Sequence, residues 1–186
     1  MSYFPTFLNL KNKKILIIGG GNIAYNKLEK LLDFTDNITL IAEEFSDEIE
    51  KIVKEQNLPK ITRSYQKNDI DGFDVVITAV DDMELQKKIF EESRGKNILV
   101  NSVDLIDYCD FIFPAYIKKS DLIISISTSG QSPAIAKYLK RYIAKLLPKD
   151  LESFLQSMKE CRKSLVKGKE RMKILDKKAK DYFDKL

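Results

Sequence analysis

The sequence predicts an α/β protein built on a doubly wound parallel sheet, followed by an antiparallel hairpin with its helix and then a helical tail. Three observations predict it. The run "KILIIGGG", Lys14–Gly21, is continuously apolar and ends in glycines, as a strand buried on both faces does. Strand-like and helix-like patterns then alternate through the first hundred residues, the mark of βα repeats. Near Pro114 that alternation stops, and two short strand patterns follow each other across a polar turn.

The elements follow in order. "KILII" is expected to be the central strand. After it Ala24, Leu28, Leu31 and Leu32 share one face at helical spacing, and "NITLIAEE" reads as a second strand leading to a charged helix, Ser46 to Gln56. "ITRSYQ" is a short third strand and "DVVITAVDD" a clearly apolar fourth. Met83 to Arg94 is helical and "NILVNSVD" strand-like again. Ligands of such a sheet bind at the carboxyl ends of its strands. "AYIKKSDLIISISTSG" is a hairpin with an edge left to pair, and "SPAIAKYLKRYIAKLLP" is a helix with Pro133 in its first turn and Pro148 closing it. Beyond Pro148, apolar or small residues recur three and four apart from Leu151 to Tyr182, which predicts helix with a break in "VKGKE" around Gly168. The expected division is 1–113, 114–148 and 149–186.

Composition narrows the function. The 186 residues are 44% hydrophobic and carry 32 basic and 28 acidic side chains, for a net charge of +4. Charges of both signs are interspersed, so no nucleic-acid partner is expected. No apolar run approaches the ~20 residues of a membrane span, and the N-terminus lacks the pattern of a signal peptide, so a cytoplasmic protein without a membrane partner is expected. Cys109 and Cys161 form no CxxC and read as reduced thiols. There is no histidine. That excludes a Ser/His/Asp triad, a His-ligated zinc and an imidazole base, leaving carboxylates, Lys, Tyr and Cys for proton chemistry. No metal site is expected.

Gly19, Gly21 and Ala24 satisfy G-x-G-x-x-A between a buried strand and a helix, the Rossmann-like context of a dinucleotide loop. The first glycine permits the tight turn, the second lets the backbone approach a pyrophosphate, and the small Ala24 lets helix and strand pack closely. Amides at the helix start would hold the phosphates. Ala42 stands where the ribose acid is usual, with Glu43 and Glu44 next. Either glutamate can bond the ribose hydroxyls and repel a 2′-phosphate, favouring NAD over NADP, and both can equally be the start of the next helix.

From "FPTFLNLKNKKILIIGGGNIAYNKLEKLL" through "VVITAVDD", "ILVNSVD" and "CDFIFPAYIKKSDLIISISTSGQSPAIAKYLKRYIAKLLP", the chain resembles the precorrin-2 dehydrogenase family, which also forms the N-terminal module of siroheme synthases. The resemblance covers Tyr3 to Pro148. It implies NAD-dependent oxidation of precorrin-2 to sirohydrochlorin, and a homodimer made by a strand-exchanged dimerisation domain, which suits the hairpin. The family's essential aspartate lies in N-x-V-D, here Asn101-Ser102-Val103-Asp104. Asp104 is therefore the implied base. A helix cap or a solvated turn explains an aspartate there as well. Asn22 and Ile23 match the family's loop contacts to NAD, Glu43 with Glu44 its adenosine-ribose end, and Thr78, Ala79 and Val80 the cleft wall after the fourth strand. Asn101 and the turn Ser127, Thr128, Ser129, Gly130 and Ser132 are implied substrate contacts, joined by Lys137 as a partner for the eight substrate carboxylates. Ser132 also fits a helix cap.

Beyond Pro148 the chain departs from the family, whose longer members cover the substrate cleft with their tail. Two alternatives accompany the dehydrogenase reading: a bifunctional dehydrogenase and ferrochelatase, and a nucleotide-sensing module that needs no base. A plain sensor does not require the segment from "CDFIFPA" to "SGQSPA".

Overall fold

In the computed structural model, which describes residues 3–185, Ile15–Ile18 forms β1 with all four side chains buried. Such a strand needs cover on both sides and neighbours on both edges. It has them. β2 (Ile38–Ala42) and β4 (Val75–Thr78) pair with it in parallel, β3 (Lys60–Thr62) extends the sheet beyond β2, and β5 (Leu99–Ser102) beyond β4. The order is β3-β2-β1-β4-β5, with β1 central as predicted. Between β1 and β4 the winding reverses, which opens a crevice at the carboxyl ends of these two strands.

The two faces of the sheet follow the two-residue period of the strands. Leu16, Ile18, Ile41, Val76 and Val100 pack with Ile70, Ile89 and Ile98 on one face. Ile15, Ile17 and Leu40 are buried at 0% exposure on the other. Each such side chain contributes about 1.5–3 kcal/mol by burial. Helix α1 (Asn22–Leu32) buries Ala24, Leu28 and Leu31. Helix α2 (Asp47–Gln56) starts at a Ser46 cap that accepts from the Ile49 amide, and α3 (Met83–Ser93) at an Asp82 cap that accepts from Leu85.

Two details depart from the sequence reading. β3 stops at Thr62 rather than running on through "SYQ", because Arg63 turns aside and grips both carboxylate oxygens of Asp69 at 2.6 and 2.8 Å. After β5 the chain makes a 3-10 turn, Ile106–Tyr108, and folds back so that Cys109 bridges to Asn101.

A second compact unit begins at Phe113. β6 (Ala115–Lys119) and β7 (Leu122–Ile126) form a two-stranded antiparallel sheet, and α4 (Pro133–Leu146) packs against it. Helices α5 (Leu151–Ser164) and α6 (Lys169–Phe183) follow, broken before Gly168 as predicted. They are joined by Phe154 stacked on Tyr182 at 3.8 Å, and Lys159 of α5 reaches Asp121 in the hairpin turn at 2.6 Å. Among the described residues no helix is long and apolar enough to cross a membrane.

Candidate functional site

The loop after β1 is held against two neighbouring strands. The Gly19 amide donates to the Ile41 carbonyl at 2.8 Å, and the Ala79 amide donates to the Ile18 carbonyl at 2.7 Å. These contacts leave no room for side chains. At Gly19, whose φ is +127°, a Cβ would lie 2.1 Å from the Ala79 carbonyl oxygen; at Gly20 it would lie 1.8 Å from that of Glu44. Gly20 was not singled out by the fingerprint, yet it is the residue over which the second strand's exit crosses, and its own carbonyl accepts from the Ser46 amide at 2.8 Å. The triple glycine in the sequence was the available signal. At Gly21 a Cβ would meet nothing within 4 Å, so this position faces open space.

That space is a cavity of about 780 Å³. Gly19, Gly21, Asn22, Ile23, Glu43, Glu44, Ala79 and Val80 line it, and so do Ser64, Tyr65, Asp81 and Asp82, which sequence reasoning did not assign. Ala24 lies beneath the loop at 0% exposure, and Thr78 is likewise buried at the end of β4. Glu43 is exposed on the wall and accepts a hydrogen bond from the Ser64 hydroxyl.

The cavity fits a dinucleotide. Helix α1 has Gly21 at its N-cap, so no side chain caps it, and it has no acidic residue in its first turn, whereas α2 has Asp47, Glu48 and Glu50 there. Its first amides have no partners within the helix, and its positive dipole end is uncompensated. Phosphate oxygens satisfy both.

Just past the end of β5, beside β4 in the sheet, stands Asp104. Thr78 and Ser102 are paired residues of β4 and β5 with hydroxyls 3.2 Å apart, and the Val103 amide donates to the Thr78 carbonyl at 3.0 Å. The chain then turns at Asp104 with φ of +65°, a left-handed conformation that few non-glycine residues adopt, and leaves its carboxylate exposed. Asp104 caps no helix. Asn101, two residues into the buried end of β5, is 5% exposed and donates from Nδ2 to the Phe111 carbonyl at 2.9 Å, while its Oδ1 accepts no hydrogen bond from the described residues. Cys109 donates its thiol proton to the Ser102 carbonyl at 3.0 Å, and burial pushes that thiol above its ordinary value.

In the second unit, the turn Ser127–Ser132 is ordered by its own hydroxyls. Ser127 Oγ accepts from the Ser129 amide at 3.0 Å, Thr128 Oγ1 from the Ser132 amide at 3.0 Å, and Ser132 Oγ caps α4 by accepting from Ile135 at 3.3 Å. Ser129 and Gly130 have φ of +51° and +82°, and both are exposed, as is Lys137 on α4.

Comparison with known proteins places this chain in a family. Residues 6–115 match the family model described as "Putative NAD(P)-binding". Curated relatives include the siroheme synthase of Vesicomyosocius okutanii subsp. Calyptogena okutanii, 34% identical over 80% of this chain and 32% of that protein. The siroheme synthase of Blochmanniella pennsylvanica is 36% identical over 81% of this chain and 31% of its own length. The chain thus spans about a third of the length of the curated relatives it matches. Among solved structures, "SirC, precorrin-2 dehydrogenase" shares the fold with a TM-score of 0.79 and 23% identity, covering 94% of this chain and 88% of that one. The chain belongs to this NAD(P)-binding family.

Proposed function

We propose that the chain oxidises precorrin-2 to sirohydrochlorin with NAD as the acceptor, a step of siroheme synthesis. The observation that carries this reading is the dinucleotide cavity at the carboxyl ends of β1 and β4 with an exposed carboxylate, Asp104, presented by the turn after the adjacent strand. The nicotinamide, when bound, supplies a two-electron acceptor for hydride. The reaction removes two hydrogens from the macrocycle: one leaves with the electron pair as hydride, and the other leaves as a proton, which Asp104 accepts. With no histidine in the chain, a carboxylate in a turn fixed by backbone bonds is the best-placed base.

NAD rather than NADP is favoured by Glu43, whose exposed carboxylate on the cavity wall would repel a 2′-phosphate. Substrate carboxylates are assigned to Lys137 and to the amide of Gly130, with Asn101 and the hydroxyls of Ser127, Thr128, Ser129 and Ser132 as further contacts. The functional unit is a homodimer. Two features support that: a sheet of only two strands leaves an unpaired edge on each, and α4 exposes Ile135, Tyr138, Leu139, Tyr142 and Leu146 along its length.

Purified protein supplied anaerobically with precorrin-2 and NAD should form NADH and sirohydrochlorin in equal amounts, and turn over more slowly with NADP. No NADH above a protein-free control would refute the dehydrogenase reading, and a preference for NADP would refute the role given to Glu43.

A further inference from the structure

The glutamate set against a 2′-phosphate is not a free side chain. β2 and β3 stay in register to a last pair, Ala42 with Thr62, and the chain leaves the two strands at Glu43 and at Arg63. Helix α2 does not begin until Asp47, so Glu43 belongs to the loop above the sheet and not to the helix that follows. One residue past Arg63, the Ser64 hydroxyl donates to Oε1 of Glu43. Both residues line the dinucleotide cavity, which puts this bond on its wall. Glu44 lines the cavity too, but among the described residues it makes no such bond.

An exposed glutamate samples many rotamers, and fixing one of them on a ligand costs entropy. The bond from Ser64 removes that freedom in advance. Because the acceptor is ionised, the bond is stronger than one between neutral groups. It occupies one carboxylate oxygen, and among the described residues the other, Oε2, accepts nothing. That oxygen is left for a ribose hydroxyl.

Ser64 has its own place fixed in turn. Arg63 Nη1 donates to the Ser64 carbonyl at 2.9 Å and to Asp69 Oδ2 at 2.6 Å, while Nη2 donates to Asp69 Oδ1 at 2.8 Å. The Gln66 amide donates to the same carboxylate at 2.7 Å, which closes the loop from Arg63 to Asp69. The clamp has a second effect. An arginine near the end of the second strand is the residue type that accommodates a 2′-phosphate, and here both terminal nitrogens of that arginine are bonded to Asp69. We propose that Ser64 is a positioning residue for cofactor selection: its hydroxyl holds the Glu43 carboxylate on the cavity wall for the adenosine ribose, while the Asp69 clamp fixes Ser64 and withholds Arg63 from a 2′-phosphate. This role rests on the reading of Glu43 as the group that favours NAD.

The test is equilibrium binding of NAD and of NADP, measured by calorimetry on the full chain as wild type, Ser64→Ala, Ser64→Thr, Glu43→Ala and the Ser64→Ala, Glu43→Ala double variant. No turnover is needed. The readout is the ratio of the two affinities, which a general loss of folded protein does not move. S64A should lower the preference for NAD by about three- to tenfold, the size of one net hydrogen bond. S64T keeps a hydroxyl donor and should stay within about twofold of the wild type. With Glu43 already replaced by alanine, the Ser64→Ala change should not alter the ratio further, because two groups that act through one another do not add.

An unchanged ratio in S64A, beside a reduced one in E43A, would overturn the role of Ser64 and leave that of Glu43 standing. An equal drop from Ser64→Ala in the absence of Glu43 would overturn it as well, since Ser64 would then act without the carboxylate. A wild-type ratio in E43A would refute the reading of Glu43, and the proposal with it.

Discussion

Thr78 and Ser102, register partners at the ends of adjacent parallel strands, join their hydroxyls across a buried gap of 3.2 Å. Thr78 also lies 3.3 Å from Gln86 Oε1 on α3, and Gln86 Nε2 donates to the Val80 carbonyl at 2.7 Å. This chain of bonds ties the wall of the dinucleotide cavity to the turn that carries Asp104. All three side chains are buried, so each unmet group would count in full.

Thr78→Val keeps the shape of the side chain and removes its hydroxyl. It should destabilise the protein by about 1–3 kcal/mol in urea unfolding, while Thr78→Ser should lose less. Equal stability of T78V and T78S would mean the network contributes nothing.

The glycine loop separates folding from binding. Gly20→Ala drives a methyl group into the Glu44 carbonyl, a backbone atom that cannot step aside, and should cost about 2 kcal/mol or more. Gly21→Ala meets open space, so its unfolding midpoint should stay within a few degrees of the wild type. G21A should nonetheless bind NAD on the order of tenfold more weakly, because the methyl group intrudes where the pyrophosphate approaches. Calorimetry for stability and titration of NAD for affinity read the two effects separately; a G21A variant with wild-type affinity would remove the pyrophosphate from this loop.

Much of this was legible in the residues themselves, for identifiable reasons. The run "ILII" has no polar position, and only a strand covered on both faces tolerates that, so the central place of β1 followed. Ala24, Leu28 and Leu31 showed the buried face of α1 through helical spacing. What escaped depends on tertiary contacts. The need for Gly20 comes from Glu44, far along the chain, passing over the loop. The fold-back from Asn101 to Cys109 has no period to reveal it. Ser64 and Tyr65 reach the cavity wall because Arg63 ends β3 early to bind Asp69, a contact across a loop.

A pH signature should come from Asp110. Burial alone would push its carboxyl up, but the Arg94 guanidinium, bonded at 2.9 and 2.7 Å, and the Val100 amide at 2.8 Å together hold it below the ordinary value. A carboxyl depressed in the folded state stabilises the fold above its unfolded pKa of about 4 and loses that contribution as pH falls through the lower folded value. Asp110→Asn should therefore be less stable than the wild type at pH 7, by about 1 kcal/mol, and the gap should close below pH 4. A gap that is constant from pH 7 to pH 3 would contradict the assignment.

The exposed face of α4 predicts an oligomer. Tyr138 and Tyr142 are 66% and 61% exposed, beside Leu139 and Leu146, which is more apolar area than a lone helix usually offers water. Light scattering at micromolar concentration should give twice the chain mass. Leu139→Asp should shift it toward the monomer; a monomeric wild type would count against the dimer.

The most direct test of the central claim is the rate of NADH formation from precorrin-2 in Asp104→Ala, measured beside NAD affinity in the same variant. The account predicts a loss of at least about a hundredfold in rate with NAD binding within about twofold of the wild type. Turnover at the wild-type rate would contradict it.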